Sequence, residues 1–525
     1  HPLHSQGLHP GATTRCTRRR GHPQHRQPPH PARGTPPGPM AGRAVGRATA
    51  GAATAAAPKT QAAYEALKER LRTLDALGGV SATLSWDELT CLPPGAAEAR
   101  GRQKAALAEV LHEQRTNPAL GELIAAAQEV AGDLGPFEAA NIRDAKRNYD
   151  RVTLIPKELA KRDAELGSRG YHTWAKAREA NDFASFAPVL AELVQLRIDE
   201  AKAVLGPDGG DAYAYQVDKF ERGTSPQRLD EILTEVREGL VPLIARVKAA
   251  KKLEQNPALT AGGFDVQKQE KAVREIASTM GFSWDCGRMD VSLHPFCGGS
   301  HPSDVRITTR YKEDTFLDSV MGIIHETGHA LYEQGRNAEQ EGLPVSEALS
   351  MGIHESQSLF WERMVGQSEA FWKHCGPILR EHLPQTSDCS NADFYNFVNK
   401  VLIDGLIRVD ADELTYPLHV CVRFEIEKGL FDGSIAVEDL PRVWNDKMEE
   451  YLGVVPPNDT LGVLQDVHWS DGSFGYFPSY TLGAMYACQF YEHAKAEIVD
   501  LESKVAAGDF KELLTLLKTQ IHQVG

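Results

Sequence analysis

The segment Phe316–Glu333 reads FLDSVMGIIHETGHALYE, and its reading decides the fold. Val320, Ile323, Ile324 and Leu331 recur at helical spacing, which predicts a helix with one face in a core. Asp314 is the expected N-cap and Gly335 the expected terminator. In the middle lies His325-Glu326-Thr327-Gly328-His329. The i, i+4 spacing puts both imidazoles on one face, one turn apart, where they can share a divalent ion. Glu326 is rotated by about 100° from His325. It can therefore reach a water on that ion without being a ligand, the position of a general base for hydrolysis. A chain of this His and Glu content contains HExxH by chance roughly one time in 20. The apolar flanks argue against chance, because an interior helix rarely carries His-Glu-His without use.

Two histidines and a water leave a tetrahedral site one ligand short. A second helix is predicted from about Ser346 to Met364, returning antiparallel to the first. Glu355, in His354-Glu355-Ser356-Gln357-Ser358, is the candidate third ligand; His354 and Glu347 are the alternatives, and a surface carboxylate is the plainer reading of Glu355. Ser356 and Ser358 are candidates to steady the ligand groups.

Outward from this centre the pattern is helical almost throughout. Gln61–Leu77, Arg100–Gln114, Phe186–Val204 and Pro226–Lys251 all carry apolar stripes, with Ser185 and Ser225-Pro226 as helix starts. The exception is Asp304–Tyr311 (DVRITTRY), β-branched and alternating, which predicts a half-exposed strand. Breakers such as Pro93-Pro94, Gly298-Gly299 and Pro456-Pro457 are local, so residues 59–525 are expected to form one large helical body.

Residues 1–58 have no helical or strand period and are expected to be a disordered leader. His1–Tyr64 contains no Asp or Glu and 9 basic residues, and Met40 is the first methionine. An organelle transit segment and translated upstream sequence are the two readings of that stretch. Over the whole chain the net charge is −15, which argues against nucleic acid as a partner. No apolar run is long enough to span a membrane. The eight cysteines are scattered without a CxxC pair, which predicts buried thiols in a reducing compartment.

Further motifs share the order of a known family. They are Ser85-Trp86-Asp87, Leu92-Pro93-Pro94, His294-Pro295-Phe296, Asp304-Val305-Arg306-Ile307-Thr308, HETGH, HESQS, RVDADELTYPLHVCVR (408–423), GVLQDVHW (462–469) and GYFPSY (475–480). With these the chain resembles the carboxypeptidase Taq family of thermostable metallocarboxypeptidases from about residue 61 onward. The resemblance implies a mainly α, two-lobed, gluzincin-like body with a deep groove and a small β-sheet beside the metal. It also implies release of single C-terminal residues from peptides, zinc that cobalt can replace, a homodimer and an intracellular setting. The family's metal ligands fall on His325, His329 and Glu355, and its general base on Glu326. Members normally continue for another helical segment beyond Gly525.

A carboxypeptidase must read a free carboxylate, for which the planar fork of arginine is suited. Arg408 and Arg423 are the first candidates and Arg306 the second; a structural ion pair with Asp410, Asp412 or Glu425 is the plainer reading. Tyr416, His468, Tyr476 and Tyr480 are candidates, as a set, to stabilise the oxyanion. The DVRIT strand offers an edge to a peptide backbone. His294 is expected to order a loop, His301 and His419 to be structural, and Trp86 and Trp469 to pack. A zinc endopeptidase or oligopeptidase of the same fold is the first rival, and a non-catalytic peptide-binding scaffold the second.

Overall fold

A computed structural model of the chain describes residues 57–206, 210–250 and 254–524. The leader expected over residues 1–58 lies outside them, apart from Ala57 and Pro58, which open the first helix, α1 (Ala57–Thr90). The periodic stretches are helices, with small shifts at their ends. Arg100–Gln114 lies within Ala97–Arg115. The helix expected from Phe186 begins at Phe183, because the Asp182 side chain accepts the Ser185 N–H and so caps it earlier. Ser225 caps Pro226–Ala249 as expected, accepting the Arg228 N–H.

Three short strands form the one sheet found among the described residues: β1 (Gly287–Val291), β2 (Cys297–His301) and β3 (Asp304–Thr309), in the order β1-β3-β2. β1 and β3 are parallel, with Met289 opposite Ile307; β2 and β3 are antiparallel, with Cys297 opposite Ile307. The DVRIT strand is thus central and has no free edge to offer, which corrects the sequence reading. Ile307, Thr308 and Thr309 are all buried, as a strand covered on both sides requires. The edge strand on the active side is β2, whose residues border a cavity of about 610 Å³ reaching from α1 to the end of the HExxH helix. At its far end β2 meets α1, where a Cβ on Gly79 would lie 2.9 Å from the Ser300 carbonyl.

The HExxH helix is α2 (Leu317–Gly335). Asp314 is not its cap: the helix enters through Phe316, and the Thr315 hydroxyl accepts the Leu317 N–H. Gly335 ends it as expected. The second helix starts later than expected. Pro344–Ser346 is a 3₁₀ turn, and α3 (Met351–Leu359) begins only at Ser350, whose hydroxyl accepts the Ile353 N–H. Glu221 and the Phe220 carbonyl take the Gly352 and Met351 N–H groups, so the backbone before Ser350 is held outside the helix. From Phe360 to Gly366 the helix widens to π geometry.

Two large hydrophobic cores give the molecule its two lobes. One gathers α2, the sheet and the later helices around Trp361, Phe371 and Phe510. The other surrounds α4 (Tyr416–Asp432) and includes Trp174, Trp444 and Trp469. A third, small cluster joins Tyr64 and Leu67 of α1 to Ile124 and Ile142. Helix α5 (Pro478–Glu497) belongs to both large cores, through Leu482 on one side and Ala487 and Ala494 on the other. No described helix is long and apolar enough to cross a membrane. The seven described cysteines are free. Cys375, Cys389 and Cys421 are buried, but Cys91, just past the end of α1, and Cys488, on α5, are exposed, against the expectation of buried thiols.

Helix α3 is clamped between α2 and α5 through two glycines. A Cβ on Gly328 would lie 2.6 Å from the Gln357 carbonyl, and one on Gly483 would lie 2.9 Å from the Glu355 side chain. Gly328→Ala is expected to destabilise the fold by about 1–3 kcal/mol despite the better helix propensity of alanine. Denaturant unfolding of the two proteins checks this, and equal midpoints would contradict the close packing.

Candidate metal centre

The clamp brings three side chains to one point. One ligand atom each from His325, His329 and Glu355 lies within 4.8 Å of the others, the group of this kind found among the described residues. His329 Nε2 is 3.5 Å from Glu355 Oε2. The outer nitrogens of both rings are engaged: His325 Nδ1 with Glu362 Oε2 at 2.7 Å, and His329 Nδ1 with His354 Nδ1 at 2.7 Å. Each histidine therefore keeps Nε2 for an ion, the tautomer logic of supported metal ligands. His354 Nε2 passes on to Glu333 Oε1 at 2.9 Å, and Glu333 is also paired with Arg336. His354, an alternative third ligand in the sequence, stands behind His329, while Glu347 lines the cavity.

The electrostatics suit a cation. Burial opposes an imidazolium at His325, yet the hydrogen bond and charge of Glu362, with Glu355 and Glu326, outweigh it and raise His325 to about 10. The same three carboxylates would favour a metal cation in place of that proton. Burial, reinforced by His354, lowers His329 to about 4 and keeps it neutral, the form that can donate to a metal. Burial works against the Glu355 carboxylate, but the His329 hydrogen bond and the charges of His325, His329 and Arg363 bring it down to about 2. Two imidazoles and a carboxylate are a fitting donor set for a divalent ion of the zinc type. Glu326 is different. Burial pushes it up to about 7, Glu355 and Glu362 push the same way, and His325 and the Cys297 backbone pull it back.

Across the seam, α5 and the turn before it present the tyrosines. The Tyr480 hydroxyl is 3.5 Å from His468 Nε2, the Tyr476 ring lies 5.3 Å from both His468 and Tyr480, and Tyr416 meets Tyr480 edge-on at 5.8 Å. The charge of Glu355 reaches Tyr416, Tyr476 and Tyr480, so this wall faces the ligand set.

The three candidate arginines are otherwise engaged. Arg408 is 3 % exposed; its Nε and Nη2 bind Asp466 Oδ1 at 3.0 and 2.9 Å, and its Nη1 donates to the Tyr416 hydroxyl at 3.0 Å. Fully buried Arg423 binds the other Asp466 oxygen, the Gln465 amide oxygen and the His419 carbonyl. The ion-pair partner is Asp466 rather than Asp410, Asp412 or Glu425. Arg306 forks onto Asp304 on the sheet. Ser356 and Ser358 bond to the Ile353 and Glu355 carbonyls of their own helix, so they support its backbone rather than the ligands. Trp86 and Trp469 are buried in packing, and buried His419 is held neutral, near 3, by burial and by Arg423.

Sequence reasoning missed Glu362 and Glu333. Glu362 stands seven residues after Glu355, two turns along the same helical face, a spacing that could have flagged it. Glu362→Gln is expected to weaken metal binding by about 10- to 100-fold, read by competition with a chelator. Asp466→Asn leaves two buried guanidinium groups without their shared anion and is expected to cost about 3–5 kcal/mol in denaturant unfolding.

The profile of the carboxypeptidase Taq (M32) metallopeptidase family matches residues 66–525. Thermostable carboxypeptidase 1 of Thermus thermophilus is 39% identical over 474 residues, which cover 89% of this chain and 92% of the relative. Carboxypeptidase 1 of Bacillus subtilis is 36% identical, over 84% of this chain and 87% of the relative. Among solved structures, the M32 carboxypeptidase from Deinococcus radiodurans superposes with a TM-score of 0.85 at 37% identity, over 88% of this chain and 93% of that one. Trypanosoma cruzi metallocarboxypeptidase 1 gives 0.84 at 40% identity, with the same coverage. A supported His-His-Glu centre on this helical scaffold, matched along nearly its whole length, makes the chain a metallocarboxypeptidase of the carboxypeptidase Taq (M32) family.

Proposed function

We propose that the chain is a zinc carboxypeptidase that releases single residues from peptide C-termini, with Glu326 as general base and His325, His329 and Glu355 holding the ion. The convergence of His325, His329 and Glu355 carries the reading, with the buried carboxyl of Glu326 on the same helix as the two histidines and next to the first. Held by His325, His329 and Glu355, a divalent ion would supply a more acidic water and a Lewis acid for the scissile carbonyl. Glu326 takes the proton of the attacking water and returns it to the leaving nitrogen. The edge of β2, bordering the cavity, aligns the peptide backbone by strand addition. Tyr476, Tyr480 and His468 supply the donors for the developing oxyanion. Cobalt, which accepts the same imidazole and carboxylate donors, is proposed to substitute for zinc.

The test is mass spectrometry of one N-blocked peptide digested by the purified chain, before and after chelation. Stepwise loss of C-terminal residues that stops on chelation is expected, and internal cuts would reassign the chain to the oligopeptidases. Glu326→Gln is expected to lower the rate by about 10²–10⁴-fold while retaining zinc. Undiminished activity in that variant would overturn the mechanism.

A further inference from the structure

Arg408, Arg423 and Arg306 are each committed to a carboxylate of the protein, so the group that reads the substrate's end must be sought elsewhere. Arg336 is held by Glu333 and Arg310 by Asp318. Arg363 is in another state. It follows Glu362, the residue bonded to His325, on the π-helical turn Phe360–Gly366. Such widened turns occur frequently at functional sites. The side chain is half-buried, and its guanidinium lies 5.1 Å above the ring of Tyr416, at one end of the tyrosine wall. Among the described residues no carboxylate stands within ion-pair distance of it. Its chain neighbour Glu362 bonds His325, and Tyr416 beneath it packs edge-on against Tyr480, so Arg363 stands between the ligand set and the tyrosine wall.

We propose that Arg363 receives the terminal carboxylate of the substrate, its guanidinium steadied on the face of Tyr416. This rests on the carboxypeptidase reading above. A half-buried guanidinium without an anion has lost solvation that no partner returns, and a carboxylate delivered by the substrate supplies two parallel charge-assisted hydrogen bonds. Stacking on an aromatic face fixes the plane of the fork, which an ammonium cannot match. The buried hydrogen bond from Arg408 to the Tyr416 hydroxyl holds that face still. Arg408 thereby acts through Tyr416 as a positioning residue. The carboxylate then sits one residue, about 3.5 Å of extended chain, beyond the bond that is cut.

The experiment compares the zinc-loaded full chain with Arg363→Gln and Arg363→Lys on one N-blocked tripeptide, as the free acid and as the C-terminal amide. Zinc content and thermal unfolding of each variant are recorded. The unsubstituted chain is expected to prefer the free acid strongly. In Arg363→Gln, KM for the free acid is expected to rise about 10- to 100-fold, with cleavage of the amide unchanged. Arg363→Lys is expected to recover part of the preference, and it carries the test should Arg363→Gln fail to fold. An acid-to-amide ratio like that of the unsubstituted chain, in a zinc-loaded variant, would overturn the assignment. Equal use of acid and amide by the unsubstituted chain would instead sink the carboxypeptidase reading, and this inference with it.

Discussion

The close approach of helix α3 to α2 on one side and α5 on the other is the constraint from which the metal centre follows. Neither approach leaves room for a side chain at Gly328 or Gly483. The first sets the distance between the HExxH turn and the backbone around Gln357; the second presses Glu355 from behind. Interiors are packed too densely for such contacts to relax gradually. Glu355 is therefore held beside His325 and His329, with Ser350 and Glu221 fixing the start of its helix.

Charge is arranged with similar economy on the two sides of the seam. On the metal side, Glu326, Glu355 and Glu362 surround His325, an excess of negative charge that a divalent ion neutralises. On the other side, two buried arginines share Asp466, and the carboxylate is held far below its usual range. That cluster backs the tyrosine wall, since Arg408 lies under Tyr480 and Tyr416 alike. A buried, fully bonded cluster of this kind supplies rigidity more dependably than net stability.

Much of this was legible in the sequence, for reasons that can be named. Helical periodicity and i, i+4 spacing are local, so α2, its two histidines and Glu326 could be read directly. Glu355 needed only the further idea that the chain returns. The start of its helix was misplaced because the acceptors for its first N–H groups come from Glu221 and Phe220, more than a hundred positions away. Strand order was hidden for a similar reason: alternation in DVRITT does not reveal that Gly287–Val291 comes to lie beside it. The ion-pair partner of Arg408 and Arg423 was hidden because Asp466 lies 58 and 43 positions from them. A fork suited to a substrate carboxylate is equally suited to one from the protein, and only the fold decides which arrives.

Helix α5 has its roots in both large cores, and Gly483 sits on it against the ligand-bearing carboxylate. It ties the two cores together at the point where Glu355 is held. Loosening of either core therefore reaches Glu355 through this one helix.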